Sequence, residues 1–230
     1  MKDNEFKTAI LLRNMINLFI NRNCLCNNKY DNLGNHGLTC KHLSISNKLR
    51  NKAHASFKYG LMQIIKHRFK KTDNYRLLIE DTEPIINNMF NTITSNLNNT
   101  KSRGDIAYIN TNTGTIDVID VTIADPTAKY YKNNNDIIGK AAEHSEKRKQ
   151  NNYNKIIDYN NIQTNNLIIF AIETHGGLAK NAKEFCHKIA KVNDNFSFEL
   201  HQIYAELSII TQIIRHNIIY SILHDFSKKN

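Results

Sequence analysis

The feature that most constrains the fold is a pair of β-branched segments separated by a short polar turn. The first segment runs from Asp105 to Asn110 and the second from Thr115 to Ala124, which is strand length in both cases. Residues 111–114, Thr-Asn-Thr-Gly, supply the residue types that form turns, and Asp125-Pro126 stops the second segment. The pattern predicts a β-hairpin, so the chain must contain a sheet.

The rest of the chain alternates between helical and strand-like periodicity. Further strands are predicted at residues 75–83 and 167–173, and residues 85–100 fit either a short helix or a polar loop. Helical periodicity is found at residues 5–21, 47–69, 136–158, 179–192 and 199–226. This order predicts an α/β fold in which helices flank a small mixed sheet.

Length and charge narrow the range of functions. A chain of 230 residues fits one large domain or a domain with an appendage, and we predict an N-terminal unit at residues 1–46 and a core at 47–230. The net charge of +10 favours an acidic partner such as nucleic acid, although solubility alone is a second explanation. The basic residues concentrate within residues 50–71, which could follow a phosphate backbone.

The polar N-terminus and the absence of a long apolar run argue against a secretory signal and a membrane span. Four cysteines in a chain of this length do not form a disulfide framework. We therefore expect a protein with no membrane partner in a reducing compartment, either the nucleus or the cytoplasm.

Three of the four cysteines lie close together with a histidine: Cys24, Cys26, His36 and Cys40, which we call the Cys–His cluster. Three thiolates and one imidazole suit a tetrahedral structural Zn²⁺, which could stabilise a loop that has little core of its own. The single residue between the first two cysteines is a tighter spacing than usual. His42 could replace the histidine ligand, and four unmetallated side chains in a polar loop are the alternative.

Two carboxylates in the hairpin form a second candidate site. Asp105 opens the first strand and Asp120 lies within the second, so both can reach one point. Strand alternation places Asp117 on the opposite face. Two close carboxylates repel unless a cation joins them, and carboxylate oxygens favour Mg²⁺ or Mn²⁺. By spacing alone, a metal site and a turn residue with a salt-bridge partner are equally good interpretations.

These elements, in this order, resemble the restriction-like endonuclease domain of the PD-(D/E)xK superfamily, found at the C-terminus of some non-LTR retrotransposon polyproteins. The resemblance covers roughly residues 20–190. Its elements are Cys24, Cys26, His36 and Cys40; Arg50 and His54; Glu83-Pro84; Arg103-Gly104-Asp105; Ile119-Asp120-Val121-Thr122; the segment from Gly139 through Lys149 to Tyr153; and Glu173-Thr174-His175-Gly176-Gly177.

The chain departs from that pattern at two positions. Gly104 stands where the family usually has proline, and Thr122 stands where the superfamily has its lysine. The resemblance implies that the lysine has moved to the following helix, where Lys149 is the candidate and Lys147 the second choice.

The resemblance also implies roles for these residues. Asp105 and Asp120 would bind Mg²⁺, together with the Val121 carbonyl. Lys149 would orient the attacking water or stabilise the phosphate, and Tyr153 would support it. Glu83 and Glu173 are candidate auxiliary acids, and a structural role at the strand end is the favoured interpretation of Glu173.

The resulting expectation is a restriction-endonuclease-like core with an N-terminal helix, a zinc knuckle and a C-terminal helical extension. The expected activity is Mg²⁺-dependent cleavage of DNA, with RNA or a reverse-transcriptase polyprotein as further candidate partners. One alternative is a zinc-stabilised nucleic-acid-binding module without catalysis. Another is a protein-interaction domain that uses the apolar C-terminal helix as a dimer face.

Overall fold

The computed structural model describes residues 2–13, 23, 24, 26, 29, 36, 40, 43–69, 74–79, 104–128, 130, 131, 137–160 and 167–227. Several predicted features lie outside the described residues: the end of the first helix, the segment 85–100, and the residues His42, Glu83 and Arg103.

The described part of the chain contains five helices and one four-stranded sheet. The helices are α1 (Asp3–Arg13), α2 (Leu43–Phe69), α3 (Lys140–Asn160), α4 (Lys180–Ala190) and α5 (Phe196–Ser227). The strands are β1 (Tyr75–Ile79), β2 (Ile106–Asn110), β3 (Ile116–Ala124) and β4 (Leu167–Glu173). This confirms the predicted α/β class with a small mixed sheet flanked by helices.

The strands are ordered β1-β2-β3-β4 in the sheet. The pairs β1–β2 and β2–β3 are antiparallel, and β3–β4 is parallel. The predicted hairpin is β2–β3. Its turn is closed by the Asn110 side-chain oxygen, which accepts the backbone N–H groups of Asn112 and Thr113. Gly114 follows at a φ of +67°, a conformation that side chains other than Asn and Asp rarely adopt. Because β4 is parallel to β3, the chain crosses over between them through α3.

The two faces of β3 pack against different helices. Ile119 and Val121 are buried in the main core with Phe57 of α2 and Phe185 of α4. Phe170 of β4 contacts both of these rings at centroid distances of 5.9 Å. The other face of β3 meets α3. Alternation along β3 therefore decides which side chains meet α3, the helix that follows the hairpin.

Some boundaries differ from the sequence prediction. Helix α2 begins at Leu43, so the expected division between residues 46 and 47 falls inside this helix. Helix α5 is one continuous helix of 32 residues. The early start of α2 was not visible because Ser and Asn are as common in the first helical turn as in loops.

None of the described helices combines the length and apolar character needed to cross a bilayer.

Candidate functional site

Asp105 and Asp120 lie opposite each other in the hairpin and are each only 4% exposed. Asp105 precedes β2, and its backbone N–H donates to the Ile119 carbonyl at 2.8 Å. Its carboxylate Oδ2 accepts the backbone N–H of Val121 at 2.7 Å and lies 3.2 Å from His54 Nε2. The Asp105 side chain is thus held between β3 and helix α2.

Asp120 faces the opposite helix, α3. Lys149 Nζ donates to its Oδ1 at 2.5 Å, and the Tyr153 hydroxyl donates to its Oδ2 at 2.9 Å. Lys149 and Tyr153 are one helical turn apart, so both side chains reach the same carboxylate. Lys147 is exposed, and Asp117 pairs with Lys188 of α4 on the other face. The four residues expected to be catalytic are therefore brought together.

The carbonyl oxygen of Val121 completes the arrangement. It lies 3.1 Å from Lys149 Nζ and 3.1 Å from His54 Nε2. One nitrogen thus links the carbonyl to Asp120, and the other links it to Asp105. We call this group the carboxylate cluster: Asp105, Asp120, the Val121 carbonyl, Lys149, Tyr153 and His54.

Burial and hydrogen bonding shift the pKa values within the carboxylate cluster in different directions. Burial acts to raise the pKa of Asp105, but the hydrogen bonds from His54 and the Val121 N–H outweigh it and lower the pKa. The hydrogen bond to Asp105 raises the pKa of His54 despite partial burial. Burial raises the pKa of Asp120, and the neighbouring Lys149 offsets this only in part. The charge on Lys149 therefore favours the ionised form of Asp120, which burial disfavours.

A cavity of about 440 Å³ adjoins the carboxylate cluster and shares His54, Val121 and Lys149 with it. Two arginines, Arg50 of α2 and Arg148 of α3, also line this cavity. The walls come from helices α2, α3 and α5 and from the end of β3. A phosphate that entered the cavity would meet three basic side chains, those of Arg50, Arg148 and Lys149.

Glu173 has a structural position at the end of β4. Its Oε1 accepts the backbone N–H of Ala141 at 2.9 Å, in the first turn of α3. A carboxylate there satisfies a free helix N–H and interacts favourably with the helix dipole. The Glu173 carboxylate also packs against Gly177, where a side chain would not fit. Glu173 therefore fixes the start of the helix that carries Lys149 and Tyr153.

The Cys–His cluster brings its four ligand atoms within 4.8 Å of one another. Cys24 Sγ and Cys40 Sγ are 3.3 Å apart, and Cys26 Sγ lies 3.1 Å from His36 Nε2. Cys24 and Cys40 are buried against the main core. The cysteines are not disulfide-bonded. Three sulfurs and a nitrogen at these separations form a candidate zinc site.

The sequence by itself assigned no role to His54. It was named only together with Arg50 among the elements of the resemblance, without a role, and it contacts both Asp105 and Val121. A histidine on a basic helix far from the hairpin gives no indication of its partners, so only its place in the resemblance could have pointed to it.

No protein-family model, curated protein or solved structure matches this chain.

Proposed function

We propose that this protein is a metal-dependent endonuclease that hydrolyses phosphodiester bonds in DNA, and that it nicks target DNA for a retrotransposon. The observation that carries this proposal is the convergence of Asp105 Oδ2, Asp120 Oδ1 and the Val121 carbonyl around the nitrogens of Lys149 and His54. A reverse-transcriptase polyprotein and its RNA are the further partners that this proposal includes.

The three oxygens fit a hard divalent cation. Mg²⁺ prefers carboxylate and carbonyl oxygens and retains several waters, so an incomplete set of protein ligands on one side suits it. Asp105, Asp120 and the Val121 carbonyl would hold Mg²⁺ or Mn²⁺. When bound, this ion supplies an activated water and stabilises negative charge on a phosphate oxygen.

The protein's own side chains supply positioning and charge. Lys149 bridges Asp120 and the Val121 carbonyl, so its ammonium can orient a water or stabilise the phosphate in the transition state. Tyr153 fixes the second oxygen of Asp120. His54 and the Val121 N–H hold Asp105 in one orientation. Asp105, Asp120 and Lys149 thus each make two contacts that fix their side chains.

Several features favour nucleic acid as the substrate. Arg50 and Arg148 line the cavity beside the carboxylates, and the chain carries a net charge of +10. Basic side chains that contact phosphates supply most of the sequence-independent affinity for DNA. The Cys–His cluster would add a zinc-stabilised surface at the start of α2.

The decisive test compares two isosteric substitutions on the same strand, Asp120→Asn and Asp117→Asn. Asp120→Asn removes charge from the carboxylate cluster, whereas Asp117→Asn removes charge from the opposite face. In a plasmid-nicking assay with and without Mg²⁺, we expect the wild type and Asp117→Asn to nick and Asp120→Asn to be inactive. Equal Mg²⁺-dependent nicking by both variants would refute the proposal.

A second candidate function is nucleic-acid binding without catalysis. It is favoured by the fact that both carboxylates already have a protein partner that can carry positive charge, Lys149 for Asp120 and His54 for Asp105. Such a network can stabilise a fold without any metal. This alternative predicts DNA binding that weakens as salt rises, with no cleavage in either Mg²⁺ or Mn²⁺.

A further inference from the structure

The cavity beside the carboxylate cluster is larger than a phosphate group needs. Its lining also contains more kinds of side chain than phosphodiester hydrolysis uses. Its volume of about 440 Å³ lies within the range of about 300–1,000 Å³ that is usual for pockets that bind small organic ligands. The basic groups are Arg50 of α2 and Arg148 and Lys149 of α3. The remaining lining extends to α5 and to the loop after β3, and the chemistry proposed above assigns it no role.

That remaining lining combines apolar and hydrogen-bonding side chains. Ile123, Ile214 and Ile218 provide apolar contact area, and Thr174 and Thr211 provide hydroxyl groups. This combination is the one that holds a nucleobase removed from its stack, because the base needs apolar contact on its faces and polar partners at its edges.

An exposed aromatic side chain lies next to this lining. Tyr130 is 62% exposed and precedes Tyr131, which lines the cavity. Arg148, which also lines it, lies 5.9 Å from the Tyr130 ring centroid, and the His144 ring meets Tyr130 edge-on at 5.1 Å. Exposed aromatic and arginine side chains beside a basic cleft are the usual platform on which unpaired bases stack.

We propose that the cavity accepts one unpaired nucleobase next to the scissile phosphate, and that the neighbouring base stacks on Tyr130. This rests on the proposed endonuclease function and specifies its substrate class: DNA that has an unpaired nucleotide at the cleavage position. Fully paired duplex is a poorer substrate because a base must first be taken out of the stack, at a cost that an unpaired base avoids.

The first test measures binding, so that it does not depend on cleavage. The probe is a DNA duplex with one bulged 2-aminopurine, compared with the same duplex carrying paired 2-aminopurine, both without added Mg²⁺ or Mn²⁺. We expect the bulged duplex to bind about tenfold more tightly and its fluorescence to change on binding. Equal affinity for the two duplexes would overturn the proposal.

Two variants locate the base. Thr211→Phe places a ring in the cavity, and Tyr130→Ala removes the stacking surface at a side chain that is 62% exposed. We expect both to reduce the preference for the bulged duplex. Tyr59→Ala is the matched control, because Tyr59 is 63% exposed on α2 and does not line the cavity. Circular dichroism shows whether Thr211→Phe is folded. If this variant is misfolded, the binding preference of Tyr130→Ala alone decides the test.

The second test repeats the comparison with Mg²⁺ and measures cleavage rates. Faster cutting at the bulge, reduced by Tyr130→Ala but not by Tyr59→Ala, supports both proposals. Equal rates on bulged and paired duplex overturn the substrate assignment and leave the endonuclease in place. Absence of cleavage of any DNA refutes the endonuclease, while the binding preference measured without Mg²⁺ still decides whether the cavity accepts a base.

Discussion

The Cys–His cluster and the carboxylate cluster are both candidate metal sites, but they are assembled from very different lengths of chain. All four members of the first lie within residues 24–40. The second joins His54 of α2, two strands of the hairpin and, through Lys149 and Tyr153, helix α3. The first is local in sequence, and the second exists only once the sheet and both helices have packed.

The two clusters also differ in what balances their charge. The Cys–His cluster consists of three cysteines and one histidine, and a bound metal ion would hold the cysteines as thiolates. The carboxylate cluster contains Lys149 and His54, which pair with its two aspartates. We therefore expect the first cluster to need its metal for folding, and the second to be stable without a metal and to bind one only for activity.

The largest predicted effect is that of removing zinc. Structural zinc binding contributes about 10 kcal/mol or more to the folding of small zinc modules. We expect purified protein to contain one zinc per chain and a strong chelator to lower the melting temperature markedly. The measurements are metal analysis by mass spectrometry and thermal unfolding.

Substitution within the Cys–His cluster sharpens this test. Cys40→Ser should lose the zinc, whereas Cys186→Ala should keep it, because Cys186 is buried in α4 and is not one of the four candidate ligands. One zinc per chain in Cys40→Ser, or a melting temperature unchanged by the chelator, would contradict the contrast between the two clusters.

The next effect is at Lys149. Lys149→Met removes the ammonium from the buried Asp120, and we expect the free energy of unfolding to fall by about 3 kcal/mol or less, since the Lys149 side chain is 29% exposed. Nicking should fall about 10²- to 10³-fold, as when a charge-stabilising donor is lost. Chemical denaturation and the plasmid assay measure the two effects.

Lys147→Met is the matched control, because Lys147 is exposed two residues earlier on the same helix. It should be close to wild type in both measurements. If the three oxygens bind Mg²⁺, this ion should raise the melting temperature of Lys149→Met more than that of the wild type. Equal losses in the two variants would show that the position of Lys149 has no special importance.

The smallest effect tests how α3 is fixed in place. A side chain at Gly177 would meet the Glu173 carboxylate and lie 2.6 Å from the Gly139 nitrogen. We expect Gly177→Ala to cost about 1–3 kcal/mol of unfolding free energy, the usual cost of overpacking. Gly114→Asn should stay within about 0.5 kcal/mol of wild type, because its surroundings are open and Asn tolerates its positive φ. A harmless Gly177→Ala would mean that the contact at the start of α3 is not tight.

The sequence was most informative where the pattern was local. The β2–β3 hairpin, the position of Asp120 on the face opposite Asp117, and the grouping of Lys149 with Tyr153 all follow from alternation or from helical spacing. The bounds of α2 and the partners of His54 did not follow. The residues at the start of a helix are not distinctive. His54 lies 51 positions before Asp105, and the residues next to it in the sequence do not indicate which side chains it will contact.

By itself the sequence determined which side chains share a strand face or a helix turn, because these relations depend only on backbone periodicity. It also indicated the Cys–His cluster, because its ligands are close along the chain, but it left His42 open as an alternative to His36. Only the tertiary structure decided that His54 and Lys149 meet at the Val121 carbonyl, and that a cavity opens beside them. Those contacts depend on how α2 and α3 pack on the two faces of the sheet, and that is set by the whole core.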